Sequence, residues 1–176
     1  FANFKDRGYI FAKIIGIAVV SYLAWLLGFF HLLPFSQTSL YIILICFVFL
    51  NLIWWQKKSE STHPGFIERL KRNSSTIKII LFEEIMFFIA FVFWAFVKGH
   101  QSDIQGLEKF MDFGFINSIL HSTYFPPLDM WLTKATSATS HNFINYYYFG
   151  HLVTAVLTKL TNIDPAITFN LMLSTI

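Results

Sequence analysis

The sequence predicts an all-α, polytopic integral membrane protein, and three observations carry that expectation. Charged residues make up only 13% of the chain and hydrophobic ones 55%, whereas a soluble domain carries about 25% charged residues. Twenty-two Phe and a mean hydropathy of +0.55 are more apolar surface than a chain of this length can bury in water, so the solvent is lipid. The basic residues also cluster between the apolar runs, which is the pattern that orients helices across a bilayer.

Five apolar runs predict five membrane-inserted helices in a single domain covering residues 1–176. The first spans about 10–30 and is broken only by Lys13. It is long enough to cross a hydrocarbon core of about 30 Å at about 1.5 Å per residue. The second, about 40–55, closes on the aromatic pair Trp54 and Trp55. The third, about 77–97, carries Lys78, Glu83 and Glu84 near its start. A carboxylate in the first turns of a helix is helped by the macrodipole, and pairing with Lys78 would help further. The fourth covers about 146–160, and the fifth starts at Pro165 and runs to the end of the sequence at 176. Proline suits a first helical turn, where its missing N–H would be unpaired anyway. Because the chain starts at Phe1 and stops inside an apolar run, it reads as a fragment of a longer membrane protein.

Charge predicts orientation. Lys57, Lys58, Arg69, Lys71, Arg72 and Lys78 put the linker 56–76 in the cytoplasm. Alternation then places Lys5, Arg7, Lys13 and Lys159 inside, and the long loop 98–145 outside. The lone Cys46 lies in an apolar run and allows no disulfide within the chain. The net charge of +3 is explained by these orientation signals, so no nucleic-acid partner is expected.

The outer loop and the run after it hold the residues with chemistry to offer. Asp103 to Leu120 repeats apolar residues at helical spacing and predicts an interfacial helix. Glu108 and Asp112 are one turn apart on one face of it. Two such carboxylates can hold a divalent cation such as Mg or Mn, with His100 or His151 as a further ligand, or one can act as a general base. Equally, they can be acids that merely face water. In Phe125-Pro126-Pro127-Leu128-Asp129 the double proline stiffens the backbone that carries Asp129. Tyr146-Tyr147-Tyr148 have the composition of an interfacial aromatic belt, whereas His151 is a polar group about one turn beyond Tyr147 that needs a partner.

These segments, taken in order, resemble a known family. Glu108-Lys109-Phe110-Met111-Asp112, then Phe125-Pro126-Pro127-Leu128-Asp129-Met130-Trp131, then Asn145-Tyr146-Tyr147-Tyr148-Phe149-Gly150-His151 resemble a prokaryotic family of membrane proteins named for its Tyr-Tyr-Tyr motif (DUF2298-like). Asp6-Arg7-Gly8-Tyr9 and Tyr22-Leu23-Ala24-Trp25-Leu26-Leu27 are similar to its early helices. That family is grouped with the GT-C glycosyltransferases. The resemblance therefore implies a GT-C-like helical bundle that transfers sugar from a polyprenyl-phosphate donor on the outer face. By the same resemblance Asp112 is the catalytic acid or base and Glu108 supports it. Asp129, Tyr147 and His151 would line the site, and the carrier's phosphate would lie near Lys109 or His151. Two features depart from the family: a long polar stretch at Lys134–Asn142, and Lys98-Gly99-His100 where the family commonly has Arg. The rival readings are a transporter or flippase of a lipid-linked substrate, which needs polar groups such as Glu83, Glu84 and Asn170 deep in several helices, and a non-catalytic membrane assembly subunit.

Overall fold

A computed structural model describes residue 6 and residues 8–59, 74–132 and 142–175. The orientation signals at Lys5, Arg7, Arg69, Lys71 and Arg72, His63, and the polar stretch 134–141 lie outside the described residues. The described part is all-helical, with one isolated bridge between Leu128 and Phe143 and no strand. A short 3-10 turn, Tyr9–Phe11, leads into α1 (Ala12–Phe29). There follow α2 (Gln37–Ser59), α3 (Ser74–Gly99), α4 (Leu107–His121), α5 (Phe149–Thr161) and α6 (Pro165–Thr175).

Among the described residues, three stretches are long and apolar enough to cross a membrane: Tyr9–Phe29, Gln37–Trp54 and Ser75–Gly99. Their burial supports lipid as the solvent. Only 17% of the most apolar window is buried in α1 and α2, and none in α3, so Phe82, Phe88 and Trp94 point away from the protein. In water such a surface would be prohibitive. Helix α5 is different. Its 13 residues rise about 20 Å, which is less than the hydrocarbon thickness. It starts later than the expected 146, because Tyr148 is the N-cap residue with non-helical backbone. It turns at Asn162, which has the left-handed φ of 55°, and forms a hairpin with α6. The hydroxyls of Thr158 and Thr168 clasp the pair at 2.7 Å.

Helix α5 packs in the angle between α1 and α2. The core there is Val20 and Ala24 of α1, Leu40 and Ile43 of α2, and Leu152, Ala155 and Val156 of α5. Polar contacts fix the arrangement. Lys13 Nζ lies 2.5 Å from Glu84 Oε1, which also accepts from the Tyr9 hydroxyl at 2.8 Å. Glu84 is therefore paired with Lys13, so the start of α1 stands level with a point about three turns into α3. At the other end Trp25 Nε1 donates to the Tyr148 hydroxyl at 3.0 Å. Lys159 Nζ donates to the Phe35 carbonyl at 2.5 Å. Phe35 belongs to the linker between α1 and α2, so Lys159 and that linker cannot lie on opposite membrane faces.

Helix α4 begins after Gly106, whose φ of 117° and ψ of 159° suit glycine alone. The expected helix from Asp103 is shorter at its start for this reason. Its buried side is Phe115, Ile116 and Ile119, turned toward α5, while Phe110 is exposed. The proline-rich segment after α4 returns to α1. Phe35 N–H donates to the Thr123 carbonyl at 2.7 Å, and Ile144 N–H to the Pro127 carbonyl at 3.0 Å. Phe125, 2% exposed, sits where a Cβ on Gly28 would come within 2.6 Å of its ring. A Cβ on Gly114 would meet the end of the Met130 side chain at 1.8 Å.

These two glycines differ in what must yield. A buried ring cannot move aside, whereas the Met130 thioether can rotate away. Gly28→Ala should destabilise the protein by about 1–3 kcal/mol and lower the thermal midpoint in detergent. Gly114→Ala should change it much less. Equal effects would contradict the described docking of Phe125.

Candidate active site

Helices α4 and α5 meet at a cavity of about 410 Å³ lined by Lys98, Lys109, Asp112, Tyr147, His151 and Met172, among others. Its central feature is a hydrogen bond at 2.9 Å between His151 Nε2 and Asp112 Oδ1. The bond forms because Asp112 leaves the middle of α4 and His151 leaves the first turn of α5, on helices that pack together. Phe115 stands edge-on to the imidazole, its centroid 5.4 Å away, and shields it. The His151 side chain is 16% exposed and that of Asp112 38%. The Nδ1 atom of His151 is buried with no hydrogen-bond partner. A buried polar nitrogen left unpaired is uncommon and points to a group that completes it.

The two lysines give the cavity a positive side. Lys98 reaches it from the end of α3 and Lys109 from the first turn of α4. Lys109 Nζ also donates to the Asp103 carbonyl at 3.2 Å. Phe169 and Met172 of α6, with Ile116 of α4, form an apolar wall. The arrangement can bind an anion beside an apolar group and offer a carboxylate backed by an imidazole.

Of the residues singled out in the sequence, Asp112, His151, Tyr147 and Lys109 come together here. Glu108 is exposed, one turn before Asp112, and contributes negative potential at Tyr146. Asp129 lines neither this cavity nor the larger one beside α1. Its Oδ1 accepts from the Trp131 N–H at 2.8 Å, and its own N–H donates to the Asn142 carbonyl at 2.8 Å, so it holds the loop. The three tyrosines have separate places. Tyr148 is held by Trp25, Tyr147 is 79% exposed, and Tyr146 stacks on Tyr147 with centroids 4.0 Å apart. The hydrogen bond between the Tyr146 and Tyr147 hydroxyls, with burial second, raises the pKa of Tyr146 above that of an ordinary phenol. Lys98 is the lining residue that local sequence reasoning missed, since nothing in its spacing connects it to α4.

The donor set does not make a protein-only metal site. His151 is engaged on Asp112, and His100 Nδ1 lies 2.8 Å from the Phe96 carbonyl. Among the described residues, no group of three or more His, Cys, Asp or Glu stands together. A Mg or Mn ion at Asp112 would need water or substrate oxygens for its remaining ligands. The intramembrane polar groups are also mostly accounted for. Glu84 is taken up by Lys13 and Tyr9, and Asn170 Nδ2 donates to the Ser102 and Ala166 carbonyls at 3.0 Å, while among the described residues Glu83 Oε2 and Asn170 Oδ1 are shielded without a hydrogen-bond partner.

Three apolar spans and a polar cavity at one end of the bundle define a helical integral membrane protein. The family model of an uncharacterized membrane protein (DUF2298) matches residues 19–176, and the chain belongs to that family. No curated protein and no solved structure matches the chain.

The Asp112–His151 bond should be measurable in stability. A double-mutant cycle with Asp112→Ala and His151→Ala, read by thermal unfolding in detergent, should give a coupling of about 0.5–1.5 kcal/mol, the usual net worth of one hydrogen bond. Additive single effects would mean that the two side chains do not meet.

Proposed function

We propose that the protein is a membrane glycosyltransferase of GT-C type, working at the outer face with a sugar carried on polyprenyl phosphate. The observation that carries the reading is the Asp112–His151 pair beside Lys98 and Lys109 in one cavity. In this reading the two ammonium groups bind the phosphate of the carrier, and the wall of Ile116, Phe169 and Met172 meets the start of its hydrocarbon chain. The loop 98–145 faces outside and the linker 56–76 the cytoplasm, following the basic residues.

The chemistry would run as follows. An acceptor hydroxyl oxygen attacks the anomeric carbon of the donor sugar. The bond from that carbon to the phosphate oxygen breaks, and polyprenyl phosphate leaves with the electron pair. Asp112 takes the proton from the attacking hydroxyl. His151 holds the Asp112 carboxylate in place through Oδ1, which leaves Oδ2 for the acceptor. The unpaired Nδ1 of His151 is a second point at which the substrate can complete a hydrogen bond.

The test is transfer of a labelled sugar from a polyprenyl-phosphate donor by the intact protein in membranes. Asp112→Asn keeps shape and removes the base, so the rate should fall by about 10²–10⁴-fold while the thermal midpoint changes little. Glu108→Gln should cost far less. A folded Asp112→Asn protein that transfers at the parent rate would remove the catalytic assignment.

A further inference from the structure

The largest described cavity, about 640 Å³, is not the one that holds Asp112. It lies beside the end of α1, between Phe29 and His31 on one side and the segment from Ser118 to Phe125 on the other. Nine residues separate Asp112 from His121, which is two and a half helical turns, so the two side chains leave α4 on opposite faces. The two cavities are therefore separate sites on one helix.

Three properties of this cavity restrict its occupant. Among the described residues, the lining contains no Lys, Arg, Asp or Glu, so they offer neither the cations that grip phosphate nor a counter-ion for an ammonium group. It offers aromatic side chains in Phe29, Tyr124 and Phe143, with the His31 ring tilted by 31° against Tyr124, centroids 4.6 Å apart. And it offers hydrogen-bonding groups in His31, His121, Ser122, Thr123 and Tyr124. The His31 backbone is held at φ 57°, a conformation that few non-glycine residues adopt. The cavity borders Phe29, the last residue of the first span, so it stands level with the polar layer and not with hydrocarbon.

From these properties we infer that this cavity binds a neutral saccharide. A pyranose ring has an apolar face of C–H groups that stacks on an aromatic ring, and a rim of hydroxyls that both donate and accept. His31 and Tyr124 supply the stacking surface, while Thr123, His121 and Ser122 supply hydrogen-bonding partners for the rim. A volume of about 640 Å³ is in the range of ligand clefts, which are about 300–1,000 Å³, and holds more than one sugar ring. The inference rests on the transferase reading only for the source of the sugar. Binding is measured without turnover, so failure of transfer and failure of binding are distinguishable.

The experiment uses the full chain in phosphatidylcholine nanodiscs, which avoids sugar-based detergents. Saturation-transfer NMR is recorded with maltotriose, mannotriose and chitotriose. At least one should bind, with the strongest transfer to ring C–H protons. Tyr124→Ala and His31→Gly should each weaken it about tenfold or more; glycine is at ease at the φ of His31. Thr123→Trp, at an exposed position, should block the cavity without touching the core. Asp112→Asn should bind as the parent does, even where transfer is lost. The inference is overturned if no trisaccharide binds to the folded protein. It is also overturned if Tyr124→Ala, His31→Gly and Thr123→Trp, each with a parent-like melting curve, all bind normally. Should the first two fail to fold, Thr123→Trp alone decides.

Discussion

A polar side chain carried by an apolar helix has to find its partner inside the protein, because lipid supplies none. That constraint fixes this structure more than any preference among apolar contacts. A charge at the middle of a bilayer costs about 2.5–3.5 kcal/mol on insertion scales, while one apolar contact in lipid is nearly interchangeable with another. Lys13 meets Glu84 and Tyr9, Trp25 meets Tyr148, and Lys159 meets the Phe35 carbonyl. These bonds name the neighbours: α1 beside α3 at one end, and α5 between α1 and α2 at the other. The short hairpin of α5 and α6 is held at the end where the linkers gather.

The candidate site follows from that placement. Trp25 holds Tyr148, which is the N-cap residue of α5, and so sets where α5 begins. His151 comes three residues later and is brought against Asp112. The docked proline-rich segment, seated over Gly28, holds the far end of α4. Asp112 thus projects from a helix fixed at its far end toward a histidine on a helix fixed at its start. Preorganisation of this kind is what a proton-transfer group needs. The opposite face of α4, with no reason to be apolar, borders the cavity beside His31.

The long apolar helices α1, α2 and α3 were legible in the sequence because hydropathy alone determines them. The shortness of α5 was not. Tyr146 to Tyr148 are apolar enough to extend its run, and only their backbone ends the helix. Asp112 and His151 were both recognisable as residues with chemistry, yet they are 39 positions apart. No helical spacing connects residues that far separated, so their bond belongs to tertiary packing. Lys98, noted in the sequence only as standing where the family commonly has Arg, is likewise brought to Asp112 by packing and not by spacing. Asp129 shows the converse. Its carboxylate is used locally by the Trp131 N–H two residues on, a habit of aspartate in turns that the sequence could have suggested. Lys159 reads in the sequence as an orientation signal, and in the structure its long stem also reaches the Phe35 carbonyl.

The account stands on α4 and α5 meeting at Asp112 and His151 in the membrane. Cross-linking tests this directly. In a Cys46→Ala background, Asp112→Cys with His151→Cys should be joined rapidly by a short bifunctional thiol reagent in intact membranes. His121→Cys with His151→Cys, whose first residue leaves the opposite face of α4, should react slowly or not at all. Failure of the first pair to link, or equal linking of both, would contradict the packing on which the candidate site is built.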